Sequence, residues 1–182
     1  MQSEKGQEKL RQGREMLKFA RGVAAWQLKR GRHFLLEHPS GASSWQEGTI
    51  QELEQYLGVY KTNIHQCRYG LRTPDKTEQL RKATTFLTNL PQAAAELARM
   101  CTTECRQTPH RPILGTARDQ QGRVARLSWH AQHYPQGLAD AMLRIIQKQT
   151  RNEFEAAASR RPTARQPVLR RTTHRRTTRT RR

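Results

Sequence analysis

The apolar pattern of this 182-residue chain stops at Phe154, and Arg160 to Arg182 then carry ten arginines and no acid. A segment of that composition cannot bury enough apolar surface to offset the entropy of ordering it. Residues 156–182 are therefore expected to form a disordered, basic, Arg/Thr-rich tail. Whatever folds must come from residues 1–155, enough for one domain of moderate size. Only 34% of the chain is hydrophobic, and the mean hydropathy is −0.97. The net charge is +19, of which the tail holds ten. A field of this sign recruits polyanions, so nucleic acid, DNA or RNA, is the expected partner.

Three cysteines, Cys67, Cys101 and Cys105, make an odd count that argues against a disulfide framework and for a reducing compartment. The polar start Gln2-Ser3-Glu4-Lys5 has no signal-peptide core, and no apolar run approaches the ~20 residues of a membrane span. The expectation is an intracellular protein without membrane contact, nuclear if the source is eukaryotic.

Along the body, helical and extended periodicities alternate, the mark of an α/β domain. Met16, Phe19, Val23 and Trp26 step by three and four, predicting a helix over residues 8–29 capped by Gly31. Phe34 to Leu36 read as a short buried strand. Thr49-Ile50-Gln51-Glu52 has capping-box spacing and opens a helix ending before Gly58. Val59 to His65 read as the next strand, Pro74 to Lys76 as a turn, and Thr84 to Leu87 as a third strand. Asn89 and Pro91 start a helix on which Leu90, Ala94, Leu97 and Cys101 share a face. Residues 102–133 read as loop, and a last helix begins near Pro135, with Leu138, Met142 and Ile145 on one face.

Three blocks carry a resemblance. They are Phe34-Leu35-Leu36-Glu37-His38-Pro39, Gln66-Cys67-Arg68-Tyr69-Gly70 and Lys82-Ala83-Thr84-Thr85-Phe86-Leu87-Thr88-Asn89. In this order they resemble the C-terminal half of cytosine-5 DNA methyltransferase-like proteins, of the phage-type and retroelement-associated branch. The resemblance implies a partial Rossmann-like methyltransferase domain, with a short sheet and flanking helices. It also implies that Glu37 binds the cytosine ring of a flipped base. The Gly-rich cofactor loop and the Pro-Cys nucleophile that should precede Phe34 are not found in the chain. Catalysis and S-adenosylmethionine binding are therefore not expected of this chain alone, and a partner chain would have to carry the cofactor-binding half. The alternative role of Glu37 is a cap on the segment Ser40 to Trp45.

Cys101, Cys105 and His110 form C-x3-C-x4-H, and Cys67 completes a Cys3His set if the strand end carrying it lies beside that loop. Such a set suits tetrahedral zinc. Packing of Cys101 into the apolar face of its helix is the competing reading. Trp45, Tyr69, Trp129 and Tyr134, flanked by Arg68, Arg72, Arg126 and His130, are candidate stacking surfaces for bases. Arg68, Tyr69 and Arg72 are the body residues expected to touch nucleic acid. Arg170, Arg171, Arg175 and Arg176 are the tail residues expected to bind phosphates, since guanidinium groups never lose their charge and pair bidentately. A zinc-stabilised nucleic-acid-binding module unrelated to enzymes is the reading opposed to the methyltransferase-like one.

Overall fold

The structure, a computed structural model, describes residues 3–102, 105 and 110–159. The chain divides into two compact units, 1–148 and 149–182. In the second, the described residues 149–159 are the end of a helix. The four tail arginines, Arg170, Arg171, Arg175 and Arg176, lie outside the described residues.

In the first unit a long helix, α1 (Glu4–Lys29), opens on Ser3, whose side chain accepts from the Gly6 N–H. It closes on Gly31, at φ 64. There the Arg32 and Gly31 N–H groups donate to the Gln27 and Leu28 carbonyls, the paired bonds of a left-handed helix stop. The strand β1 (Leu35–Pro39) follows, then α2 (Gly48–Glu54) and β2 (Tyr60–His65). Helix α2 starts one residue before Thr49, and the side chain of its N-cap Glu47 makes no capping bond. The capping box read at Thr49 thus falls inside the first turn.

Strand β3 (Gln79–Arg81) precedes β4 (Ala83–Thr88) and helix α3 (Pro91–Glu96), with Pro91 in its first turn. Asn89 does not cap α3. Its amide bridges instead to the entry of β1, accepting from the Phe34 N–H at 3.0 Å and donating to the Arg32 carbonyl at 3.0 Å.

The sheet order is β1-β4-β2, and both pairings are antiparallel. The parallel, Rossmann-like sheet that the resemblance implied is not the arrangement of these three strands. A mixed helix-and-sheet fold with small sheets is. Strand β1 is a half-buried edge, and the buried centre is β4. Side chains alternate across a strand, so Phe86 faces a core built with Ile64, Leu90, Ala93, Leu97 and Leu138, while Leu87 faces Ala24 and Leu53. The sheet is thereby packed between α1 and α2 on one side, and α3 and a last helix, α5 (Gln136–Ser159), on the other.

Residues 102–133, read from sequence as loop, hold more than that. Strand β5 (His110–Pro112) pairs in parallel with β3. Strands β6 (Thr116–Arg118) and β7 (Val124–Arg126) form a hairpin, followed by the short helix α4 (Leu127–His130). Asp119 shapes the hairpin turn by accepting from the Gln121 and Arg123 N–H groups, and Gly122 takes φ 79. Leu71, Leu80, Leu127 and Ala131 form a small second core beneath these elements.

Gly137 tests how α5 docks. A Cβ there would lie 2.7 Å from the backbone oxygen of Tyr69. Helix propensity favours Ala over Gly by up to ~1 kcal/mol, but a main-chain clash cannot be relieved by a rotamer change. Gly137→Ala is expected to lower stability by about 1–2 kcal/mol, measured by urea unfolding. An increase in stability would show that α5 does not seat against Tyr69.

Candidate metal centre

Four chain segments meet where the sheet ends. Strand β2 runs into a 3-10 turn, Gln66–Tyr69, closed by Gly70 at φ 89. The turn is anchored by Gln66, fully buried, whose Nε2 donates to Thr84 Oγ1 at 2.8 Å and whose N–H donates to the Lys82 carbonyl at 2.9 Å. This anchor aims the buried Cys67. Helix α3 ends at Glu96, so Cys101 is not on its apolar face as the heptad-like spacing suggested. It lies in the irregular segment beyond, where the His65 N–H donates to the Arg99 carbonyl and the Cys101 N–H donates to His65 Nδ1, each at 3.0 Å. The Cys105 N–H donates to Thr102 Oγ1 at 3.3 Å. His110 opens β5, opposite Gln79 of β3.

The ligand atoms of Cys67, Cys101, Cys105 and His110 all lie within 4.8 Å of one another. Metal–ligand bonds of ~2.3 Å to sulfur and ~2.05 Å to nitrogen at tetrahedral angles require about 3.8 Å between two sulfurs and about 3.6 Å between sulfur and nitrogen. Cys67 and Cys105 Sγ are 3.8 Å apart. His110 Nε2 is 3.3 Å from Cys105 Sγ and 3.7 Å from Cys101 Sγ. The cluster thus has the donor set and spacing to hold a metal ion such as zinc.

The electrostatics point the same way. Burial pushes the Cys67 thiol well above its ordinary range, and the neighbouring Cys105 and Cys101 push it further. Three adjacent thiols cannot all ionise in a buried site without a cation between them; a divalent ion removes that penalty. Gln79 Oε1 sits 3.1 Å from Cys105 Sγ as a thiol acceptor. Once the sulfur is ionised, the same amide turned over presents N–H donors to it, the usual support for a metal thiolate.

The other sequence candidates separate. Tyr69 is buried, and its hydroxyl donates to the Leu97 carbonyl at 3.0 Å; it is a core residue and not a contact for nucleic acid. Trp45 is held by its indole N–H, which donates to the Pro39 carbonyl at 2.9 Å, with the Lys61 ammonium 4.5 Å from the ring centre. Arg68 and Arg72 are exposed. Trp129 is 61% exposed and Tyr134 41%, which leaves them as the available aromatic surfaces among the four.

Glu37 faces Phe86 in register in the middle of β1, and it caps no backbone in Ser40 to Trp45. Its Oε2 accepts from the Tyr134 hydroxyl at 3.1 Å, and its Oε1 is buried with no hydrogen-bond partner among the described residues. Burial first, and then the charge and hydrogen bond of Glu37, raise the Tyr134 phenol above its usual range. Tyr134 therefore stays a neutral donor at ordinary pH. No signal in the sequence links Glu37 and Tyr134, which lie far apart in the chain.

No known family model matches the sequence, and no curated protein or solved structure matches it. No helix among the described residues is long and apolar enough to cross a membrane.

The metal assignment predicts about one zinc per folded chain, lost in Cys67→Ser, Cys105→Ser and also Cys101→Ser, with a strong chelator lowering the melting temperature. Elemental analysis and cobalt substitution, read as tetrahedral thiolate absorption, check it. A chain purified under reducing conditions that stays folded and takes up neither metal overturns it.

Proposed function

We propose that this chain is a metal-stabilised nucleic-acid-binding module. The observation that carries the reading is the Cys3His cluster, its ligand atoms within 4.8 Å, set in a body that keeps nine of the nineteen net positive charges when the arginine tail is set aside. A small α/β domain of low hydrophobic content gains much from such a staple, because metal binding free energy becomes folding free energy. The basic body and the arginine tail then supply phosphate contacts that are nearly blind to sequence. Arg68, within the Cys67 turn, and Arg72, just after it, are both exposed and are the body contacts of this reading.

Zinc, when bound, supplies rigidity here rather than reaction chemistry: Cys67, Cys101, Cys105 and His110 fill a four-coordinate shell and leave no open position for water. They fasten the end of β2, the segment after α3 and the start of β5 to one another.

The second reading is a subunit of a split DNA cytosine methyltransferase, a partial Rossmann-like domain from a mobile-element context. The unpartnered Glu37 Oε1 favours it, since a buried carboxylate oxygen with spare acceptor capacity suits a ring N–H donor. The antiparallel sheet weighs against it. A partner chain would have to bring the S-adenosylmethionine site and the nucleophile, and methyl transfer by the reconstituted pair, lost in Glu37→Gln, is its signature.

The binding reading is tested by salt titration of affinity for duplex and single-stranded oligonucleotides. Deleting residues 160–182 removes ten of the nineteen net charges. Affinity should fall, and the slope of log affinity against log salt should flatten by ~0.9 for each duplex phosphate that the shortened chain no longer neutralises. The remaining body should still bind at low salt. Unchanged affinity and slope after the deletion would remove the tail from the binding surface.

A further inference from the structure

Outside the metal centre, cationic and aromatic side chains from two distant parts of the chain converge on one pocket. It has a volume of about 230 Å³ and is lined by Gly70, Leu71, Arg72, Thr73, Pro74 and Lys76 from one segment, and His130, His133, Tyr134 and Pro135 from another. That volume is below the about 300–1,000 Å³ of sites that enclose a whole cofactor, and suits a phosphate with part of one nucleoside.

The charges in this pocket are left unpaired. Some surface cations elsewhere meet carboxylates, as in Arg14–Glu47, Arg21–Glu52, Lys61–Glu54 and Lys148–Glu96. Among the described residues neither Arg72 nor Lys76 has such a partner, and no acid lines the pocket. Carboxylates lie close by outside the lining: Glu78, bonded through its backbone to Thr73, pairs with Arg111 at 3.5 Å, and Glu37 keeps one oxygen, Oε1, without a partner among the described residues. Asp75 accepts from Thr73 Oγ1 and the Thr77 N–H within its own turn, and Glu37 accepts from Tyr134. The Arg72 guanidinium donates to the Lys76 carbonyl at 3.3 Å, and the His130 Nε2–H donates to the Arg72 carbonyl at 2.9 Å. The first bond braces one wall, and the second ties the two walls together.

The backbone at Lys76 is the second, independent observation. It has φ 66, the one non-glycine residue with positive φ among the described residues. Thr73 to Lys76 form a turn in which the Lys76 N–H donates to the Thr73 carbonyl at 2.8 Å, with Pro74 second and a position for glycine fourth. A lysine occupies that position at a conformational cost, and residues held this way concentrate at ligand sites.

We infer that this pocket binds a phosphate of a single-stranded nucleic acid, through Arg72 and Lys76, with the His133 and Tyr134 rings beside the attached nucleoside. The inference rests on the nucleic-acid-binding reading above and gives it a specific site.

The full-length chain is titrated with a fluorescent oligothymidylate at low salt. Arg72→Ala with Lys76→Gly should weaken binding about tenfold or more, as removal of charge-assisted phosphate bonds does, and should flatten the salt slope by about 0.7 per phosphate. The control pair Lys5→Ala with Arg144→Ala, both exposed, removes the same charge and should stay within about twofold. Lys76→Gly alone should raise the melting temperature, because glycine accepts positive φ without strain, and yet lower affinity. Equal weakening in the two pairs leaves nucleic-acid binding standing and overturns the pocket. A wild-type chain that binds no oligonucleotide overturns both. Thymidine 5′-monophosphate displacing the strand at matched phosphate concentration makes a free nucleotide the occupant and overturns the strand assignment.

Discussion

Burial of strand β4 on both faces is the constraint on which the rest of the first unit depends. It is the middle of a three-stranded sheet, so its backbone is paired on both edges and its side chains must satisfy two different cores. Phe86 and Leu87 do so by pointing in opposite directions. The threonines between and around them are buried polar groups that need partners. Thr84 Oγ1 accepts from Gln66, Thr85 Oγ1 meets Asn63 and Ser40, and Thr88 Oγ1 donates to the Phe34 carbonyl and accepts from the Leu90 N–H. Each of these bonds reaches a different flanking segment, so the central strand orients the turn after β2, the segment before β1 and the start of α3.

The Cys/His cluster is a consequence of that arrangement. Gln66 bonds to Thr84 and to the Lys82 carbonyl, which places Cys67 at the end of the sheet. The His65–Arg99 and Cys101–His65 bonds bring the chain back from α3 to the same end. The parallel β3–β5 pair delivers His110 from the far side. The convergence of three sulfurs and one imidazole nitrogen within 4.8 Å is spacing that a metal ion would use and that packing of three isolated cysteines does not require.

The region after the Cys/His cluster is organised by a core of its own. The second small core, built from Leu71, Leu80, Leu127 and Ala131, draws the turn at Thr73–Lys76 and the helix α4 together. Unpaired Arg72 and Lys76 then face His133 and Tyr134 across a pocket. The Cys/His cluster and the pocket share the segment from Cys67 to Lys76.

The sequence by itself determined the charge, the end of the apolar pattern, the α/β alternation and the strands around Leu36, Ile64 and Phe86, because periodicity and composition are local properties. The Gly31 helix stop and the Pro91 helix start were legible for the same reason. The Cys3His set was legible only as a possibility, since Cys67 lies far in sequence from the other three ligands. Tertiary structure decided that Cys101 leaves its helix early and joins them. It decided that β1 pairs antiparallel, where the resemblance had implied a Rossmann-like sheet, since strand direction is set by long-range packing. It turned Tyr69 inward to Leu97 and Asn89 toward Phe34, two polar side chains whose partners are distant in the chain. The Glu37–Tyr134 contact and the Lys76 backbone angle likewise depend on segments that meet only when both cores form, and no local pattern encodes such a meeting.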